Sequence, residues 1–225
     1  VTPLPRRLVA EFLGTTLLLA TVVGSGVMGM QLSGGNAGIA LLANAAATAA
    51  MLYVLIVLLG PVSGAHMNPA VSMVMRVRGE LRSLELVGYV VAQVAGAAAG
   101  VVLAHLMFGL DMVQPGDHVR SGAAQWLSEA VATFGLLLTI LVGAQRRPAA
   151  SPVLVAAYIF AAYWFTASTS FANPAVTLAR SMTRTFAGIR LDDVIGFVVA
   201  QLAGALLALP VARAVATSPN GEPQH

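Results

Sequence analysis

Apolar residues run along this chain in six long stretches, roughly 8–28, 37–59, 84–107, 124–144, 152–171 and 192–215. Between them lie short segments where arginine, aspartate, proline and glycine collect. Each stretch is close to the about 20 apolar residues that cross a hydrocarbon core of ~30 Å. The pattern predicts an all-α membrane protein with six transmembrane helices. The first stretch is too long for a cleavable signal peptide. One piece does not fit the scheme: "GPVSGAHMNPAVSMVMRVRG" is too short to span after residue 59, yet stays largely apolar as far as Arg76. A second oddity is "SFANPAV" at 170–176, which sets a proline in the middle of an apolar run.

The chain repeats itself. "GYVVAQVAGA" at 88–97 returns as "GFVVAQLAGA" at 196–205, with all but two positions identical. "AEFLGTTLLL" at 10–19 resembles "SEAVATFGLLL" at 128–138 through Glu11 and Glu129, and the two Asn-Pro-Ala-Val copies fall between these landmarks in the same order. Each half, about 1–110 and 120–215, thus holds span, span, Asn-Pro-Ala segment, span. Three spans per half is odd, so the second half enters the membrane from the opposite face. Such an inverted repeat places a site at the midplane between the halves. Small residues recur every four positions in the third span of each half (Gly88, Ala92, Gly96, Gly100; Gly196, Ala200, Gly204, Ala208), which lets helix backbones approach closely.

Asparagine is a favoured helix N-cap and proline a favoured first helical residue. Asn68-Pro69-Ala70 and Asn173-Pro174-Ala175 therefore predict the starts of two re-entrant half-helices. Irregular backbone leading into such a start is tolerated at membrane depth only where it lines a cavity. The inverted repeat would bring both starts together, each carrying about half a positive charge from its dipole, so cations and protons would be repelled there. Each Asn side-chain oxygen would cap its own helix and leave the amide N–H groups free for the lumen. The carbonyls of Gly64, Ala65 and His66 on one side, and of Ser170, Phe171 and Ala172 on the other, would supply acceptors. That track suits a small uncharged solute with hydrogen-bonding groups.

Composition narrows the chemistry further. The 225 residues include no Cys, which excludes disulfides and thiol or thiolate chemistry, and the net charge of +3 rests on arginine alone. Arginines scattered at the ends of spans do not form a nucleic-acid face. Grouping Arg6, Arg7, Arg76, Arg78, Arg82, Arg146, Arg147 and Arg213 on one side leaves Arg120, Arg180, Arg184 and Arg190 on the other. The positive-inside rule then puts both termini in the cytoplasm, and the cell membrane is the expected location. Glu11 and Glu129 recur once per half, and no buried Asp, Lys or Arg is expected beside them; they fit acceptors for the re-entrant backbone better than a proton relay. His66 has no ligand partner at metal spacing and is expected to steady its loop. His105 and His118 carry no clear signal. No nucleophile and base pair or phosphate loop stands out, so neither an enzyme nor a bound cofactor or metal is expected.

With two Asn-Pro-Ala boxes, a Glu in the first and fourth spans and the "SGAHMNPAVS" approach, the chain resembles the major intrinsic protein family, the aquaporins and aquaglyceroporins, over essentially its whole length. The resemblance implies a homotetramer in which every protomer has its own passive, bidirectional pore. It also implies a narrowest point formed by four side chains, which counting from the boxes places at Thr48, Ala161, Ser170 and Val176. Most relatives carry an arginine at the last position, and water-selective ones add an aromatic and a histidine; all are missing here. A full charge 4 Å away is worth about 4 kcal/mol at an effective dielectric of about 20, so cation exclusion would fall more heavily on the helix dipoles. Arg180, one turn beyond Val176, is expected either to place positive charge at the outer mouth without narrowing it, attracting anionic or strongly dipolar solutes, or to contact headgroups or anchor a loop. A filter of this kind resembles the aquaglyceroporin-like channels associated with bacterial arsenic resistance, which implies arsenite and related metalloid or methylated arsenic species as solutes, with glycerol and water also permeant. The alternatives are a general glycerol and water channel, an alternating-access secondary transporter, for which no midplane acidic cluster is visible, and a junctional protein with a closed pore. The tail at 216–225 is polar and proline-rich.

Overall fold

The computed structural model describes residues 2–216, all in helices, turns and loops. Eight α-helices follow one another: α1 (Leu4–Leu32), α2 (Ala37–Ser63), α3 (Pro69–Val77), α4 (Ser83–Met107), α5 (Ala123–Arg146), α6 (Ser151–Phe165), α7 (Pro174–Arg180) and α8 (Val194–Ala216). Short 3-10 turns at Pro148–Ala150 and Leu191–Asp193 precede α6 and α8. Six of the helical segments are long and apolar enough to cross a membrane. At 1.5 Å per residue, α3 and α7 reach only about 10–14 Å, less than half the hydrocarbon thickness.

The element boundaries follow local chemistry. Asn36 caps α2 with its side-chain oxygen, which accepts from the amides of Gly38 and Ile39, and Gly64 ends that helix in the left-handed region at φ 88°. The fifth span differs from expectation. Its helix stops at Phe165, six residues short of the expected 171, because the chain must already turn inward to deliver the second Asn-Pro-Ala box to mid-membrane. Of the tail expected at 216–225, Ala216 closes α8 and the rest lies outside the described residues.

Packing repeats as the sequence does. Helix α1 packs on α2 and α4, and α5 packs on α6 and α8. Each half-helix rests on the third span of both halves, α3 on α4 and α8, α7 on α8 and α4. Helices α2 and α6 meet across the pseudo-symmetry axis. The small residues of the repeat explain how closely the spans approach. A side chain at Gly96 would run into the carbonyl of Phe12, and one at Gly204 into that of Ala130, the residues directly after Glu11 and Glu129. This contact seats each glutamate at a fixed depth against the third span of its own half.

Candidate solute pathway

The backbone before each Asn-Pro-Ala box is bent in the same way. Ala65 and Met67, three and one residues before Asn68, have φ of 49° and 48°; Ser170 and Ala172, at the same offsets before Asn173, have 50° and 47°. Non-glycine residues in the left-handed region are strained by about 1–3 kcal/mol each and persist only where surroundings hold them. Here the holder is a buried glutamate. Glu11, with no solvent exposure, accepts from the Ser63 hydroxyl (2.6 Å), the amides of His66 (2.9 Å) and Met67 (2.6 Å) and the side chain of Gln93 (2.7 Å). Glu129 accepts from the amides of Phe171 and Ala172, both at 2.8 Å, and from Gln201 at 2.5 Å. Each glutamine also donates to the half-helix, Gln93 to Ser72 and Gln201 to Thr177. The glutamines sit in the repeated "VVAQ" stretch, where sequence reasoning noted the repeat and missed these residues.

The two boxes are tied to each other. Asn68 caps α3 through the amide of Ala70, and Asn173 caps α7 through those of Ala175 and Val176. The side-chain amides are not wholly free for the lumen as expected. Asn68 Nδ2 donates to the carbonyl of Ala172 at 2.8 Å, and Asn173 Nδ2 to that of Met67 at 2.7 Å. One hydrogen of each amide is spent on this exchange, leaving one for a passing solute. The Ala172 carbonyl, expected as a free pore acceptor, is engaged in the same cross-tie.

A cavity of about 310 Å³ runs past this centre. Toward the face that carries the termini its walls include Glu80, Ala144 and Ser151; toward the other face they include Tyr163, Ser170, Phe171, Val176 and Arg180. Most of the wall is aliphatic, from Leu18, Val22, Leu52, Ile56, Val71, Ile140 and Ile159 among others. The polar side is the strip from Gly64, Ala65, His66 and Asn68 to Ser170, Phe171 and Asn173. Pro69, Ala70, Pro174 and Ala175 build the helix starts behind it. His66 Nδ1 lies 3.0 Å from the Ser72 hydroxyl, which fixes the ring at the edge of the strip. Among the described residues no group of His, Asp and Glu could hold a metal ion.

Of the four residues obtained by counting, Thr48, Ser170 and Val176 are buried and line the cavity. Ala161 does not. It is exposed on the outer face of α6, because the inward face of that helix carries Val155, Ile159 and Tyr163 at four-residue spacing. Tyr163 occupies the wall instead, its hydroxyl 3.3 Å from Thr48 Oγ1. Arg180 is only 2 % exposed, lines the outer end of the cavity, lies over the Phe171 ring and anchors the segment after α7 by donating through Nε to the Ala187 carbonyl. The expectation that no buried Arg accompanies the glutamates is corrected by Arg180, which is buried and feels the charge of Glu129.

A family model described as "Major intrinsic protein" matches residues 2–170. Aquaglyceroporin AqpS of Rhizobium meliloti (strain 1021) is 59 % identical over 210 residues, covering 93 % of this chain and 90 % of that protein. The chain belongs to the major intrinsic protein family. A probable glycerol uptake facilitator protein of Thermotoga maritima is 31 % identical over 164 residues, covering 65 % of this chain and 68 % of that protein. The aquaglyceroporin from Plasmodium falciparum, at 18 % identity and a TM-score of 0.72 over 94 % of this chain and 95 % of that one, has the same fold. This major intrinsic protein is accordingly a multi-pass membrane channel for small solutes and not an enzyme.

Two further residues of the channel gave no sequence signal. His105 is fully buried in α4, with Nε2 2.7 Å from the Thr183 hydroxyl and Nδ1 3.0 Å from the Met112 carbonyl, and so ties the 108–122 loop to the segment after α7. Arg120 comes from that loop and donates to the carbonyls of Gly188 (2.9 Å) and Ser168 (3.3 Å). Both depend on contacts with residues about 50 to 80 positions away, which spacing along the chain does not reveal.

Proposed function

We propose that this channel conducts small uncharged solutes passively and in both directions, with arsenite and related metalloid or methylated arsenic species foremost and glycerol and water also permeant. The observation that carries the reading is Val176: the position expected to hold an arginine holds a buried aliphatic side chain on the cavity wall. A guanidinium there would narrow the passage and demand a hydrogen-bonding partner from every solute. With valine, an aliphatic wall faces a strip of amides and carbonyls, and a small polyhydroxylated molecule can bond along one side while its carbon or arsenic skeleton faces the other. Neutral arsenous acid and glycerol share that size and hydroxyl display. The name of the similar AqpS supports the aquaglyceroporin part of the reading. Asn68, Asn173, Thr48, Ser170 and Val176 are the residues proposed to meet solute, and Glu11 and Glu129 those that hold the track in place.

Cation exclusion in this reading falls on the two helix starts and on Arg180. The working form is a homotetramer in the cell membrane with both termini cytoplasmic, as the arginine distribution favours. The test is stopped-flow permeability of reconstituted vesicles to water, glycerol, arsenite and protons, compared with Val176→Arg. The substitution is expected to suppress arsenite and glycerol flux at least tenfold while sparing water. Equal glycerol flux with no arsenite flux would leave a general glycerol and water channel. Flux that saturates at low solute concentration and follows an imposed proton or sodium gradient would overturn the channel mechanism.

A further inference from the structure

At the face opposite the termini, two guanidinium groups meet over one aromatic ring. The Cζ atom of Arg180 lies 3.3 Å from the Phe171 ring centroid and that of Arg120 lies 5.0 Å from it. Both are anchored by carbonyls, Arg180 by Ala187 and Arg120 by Gly188 and Ser168. The loop that delivers Arg120 is sewn to the segment after α7 by the amides of Gln114 and Gly116, which donate to the carbonyls of Met182 and Ser181. Neither guanidinium forms an ion pair among the described residues. The carboxylate of Asp193 accepts from the backbone amide of Arg120 and from the guanidinium of Arg190. Asp117 faces Arg184, and the oxygens of Glu129 are occupied by Phe171, Ala172 and Gln201.

Buried positive charge without a counter-ion is costly unless a ligand supplies one. Arg180 lines the cavity, and its two terminal nitrogens have no acceptor among the described residues. Ser170, on the same wall and 3 % exposed, has a hydroxyl with no partner either. A fork of two N–H donors and a neighbouring hydroxyl matches an oxyanion that offers two or three acceptor oxygens. We propose that the outer end of the cavity is a binding site for small monovalent oxyanions, contacted by Arg180 and Ser170, with Arg120 as a second cation behind Phe171. The site rests on the pathway assigned above, because it lies on it, and an anion held there competes with neutral solute.

The test uses methanesulfonate, which stays ionised and carries three oxygens, against gluconate as a bulky anion at the same ionic strength. Methanesulfonate is expected to inhibit glycerol flux through the reconstituted wild-type channel, with gluconate much weaker. Arg180→Met should raise the half-inhibiting concentration about tenfold or more, as expected for loss of a charge-assisted hydrogen bond. Arg180→Lys should recover part of the effect, and Ser170→Ala and Arg120→Met should each weaken it less. A second readout is independent of flux: methanesulfonate should raise the unfolding temperature of the solubilised wild type above that in gluconate, and this difference should vanish in Arg180→Met. If the wild type carries no glycerol, the channel reading fails while the unfolding shift still judges the anion site. If Arg180→Met does not fold, the Ser170 and Arg120 variants decide. Equal effects of gluconate, or effects unchanged in the variants that fold, overturn the proposal.

Discussion

Removing Glu129 tests whether a buried carboxylate holds the second half-helix in the pore. Glu129→Ala would strand three donors, the amides of Phe171 and Ala172 and the side chain of Gln201, now held at 2.8, 2.8 and 2.5 Å. Each buried donor left unpaired costs about 1–3 kcal/mol, an upper sum of roughly 9 kcal/mol. Interhelical hydrogen bonds within membranes average about 0.6 kcal/mol, which sets a lower sum of roughly 2 kcal/mol. The left-handed backbone at Ser170 and Ala172 is strained and relaxes once its amides are released, so the cost falls between these bounds, near about 4 kcal/mol. At about 2–4 °C per kcal/mol for a chain of this size, the unfolding temperature should drop by about 10 °C. Glu129→Gln keeps the shape and one acceptor oxygen but turns an NH₂ group toward a donor, and should fall between. The assay is thermal unfolding of the solubilised protein beside glycerol flux of the reconstituted channel, where flux per folded molecule should also fall because the 170–173 strip loosens. A Glu129→Ala protein that unfolds within a degree or two of wild type and conducts normally would refute the reasoning.

Tyr163→Ala should speed passage of solutes larger than glycerol, whereas Ala161→Phe should leave permeability unchanged, since residue 161 faces away from the cavity; vesicle swelling with a series of polyols reads both. Gly204→Val would drive its side chain into the Ala130 carbonyl, and overpacking of that kind costs about 1–3 kcal/mol or more, visible as loss of folded protein in detergent. Gly60→Ala, in α2 with open space around it, is the matched control and should be neutral or gain up to about 1 kcal/mol from helix propensity.

The fold was legible because its signals are local. Six apolar runs, a ten-residue repeat and two Asn-Pro boxes each act within about one helix length, and the odd number of spans per half fixed the inversion. Glu11 and Glu129 were legible as a pair for the same reason. The filter was less so, because counting from Asn173 assumes a fixed number of residues between α6 and α7. Where α6 stops at Phe165, its inward stripe passes through Tyr163, and Ala161 is rotated by two residues, about 200° on a helix, to the outer side. A count cannot register that rotation, although the apolar residues at 155, 159 and 163 hold the stripe that would have revealed it.

The repeat is followed closely enough that its failures carry meaning. His66 and Tyr89 pack with ring centroids 5.2 Å apart, and their counterparts Phe171 and Phe197 with centroids 5.1 Å apart. An arginine stands over each pair, Arg7 5.1 Å from Tyr89 and Arg120 5.0 Å from Phe171. In the first half Arg7 is neutralised by Glu85 at 3.0 Å and donates to the Tyr89 hydroxyl at 2.7 Å. The residue matching Glu85 in the second half is Asp193, which instead serves the Arg120 backbone and Arg190, and phenylalanine offers no hydroxyl. The second half therefore keeps its positive charge, and Arg180 adds to it. The two ends of the pore thus differ locally: the arginine beside the inner aromatic pair is ion-paired, whereas, among the described residues, the two beside the outer pair are not. Passive flux of an uncharged solute must be the same in both directions, so this polarity cannot bias glycerol or arsenite at equilibrium. It can make inhibition one-sided: methanesulfonate should act when added at the Arg180 face and have little effect from the face carrying the termini. Equal inhibition from both faces would mean that the asymmetry of charge is not felt in the pore.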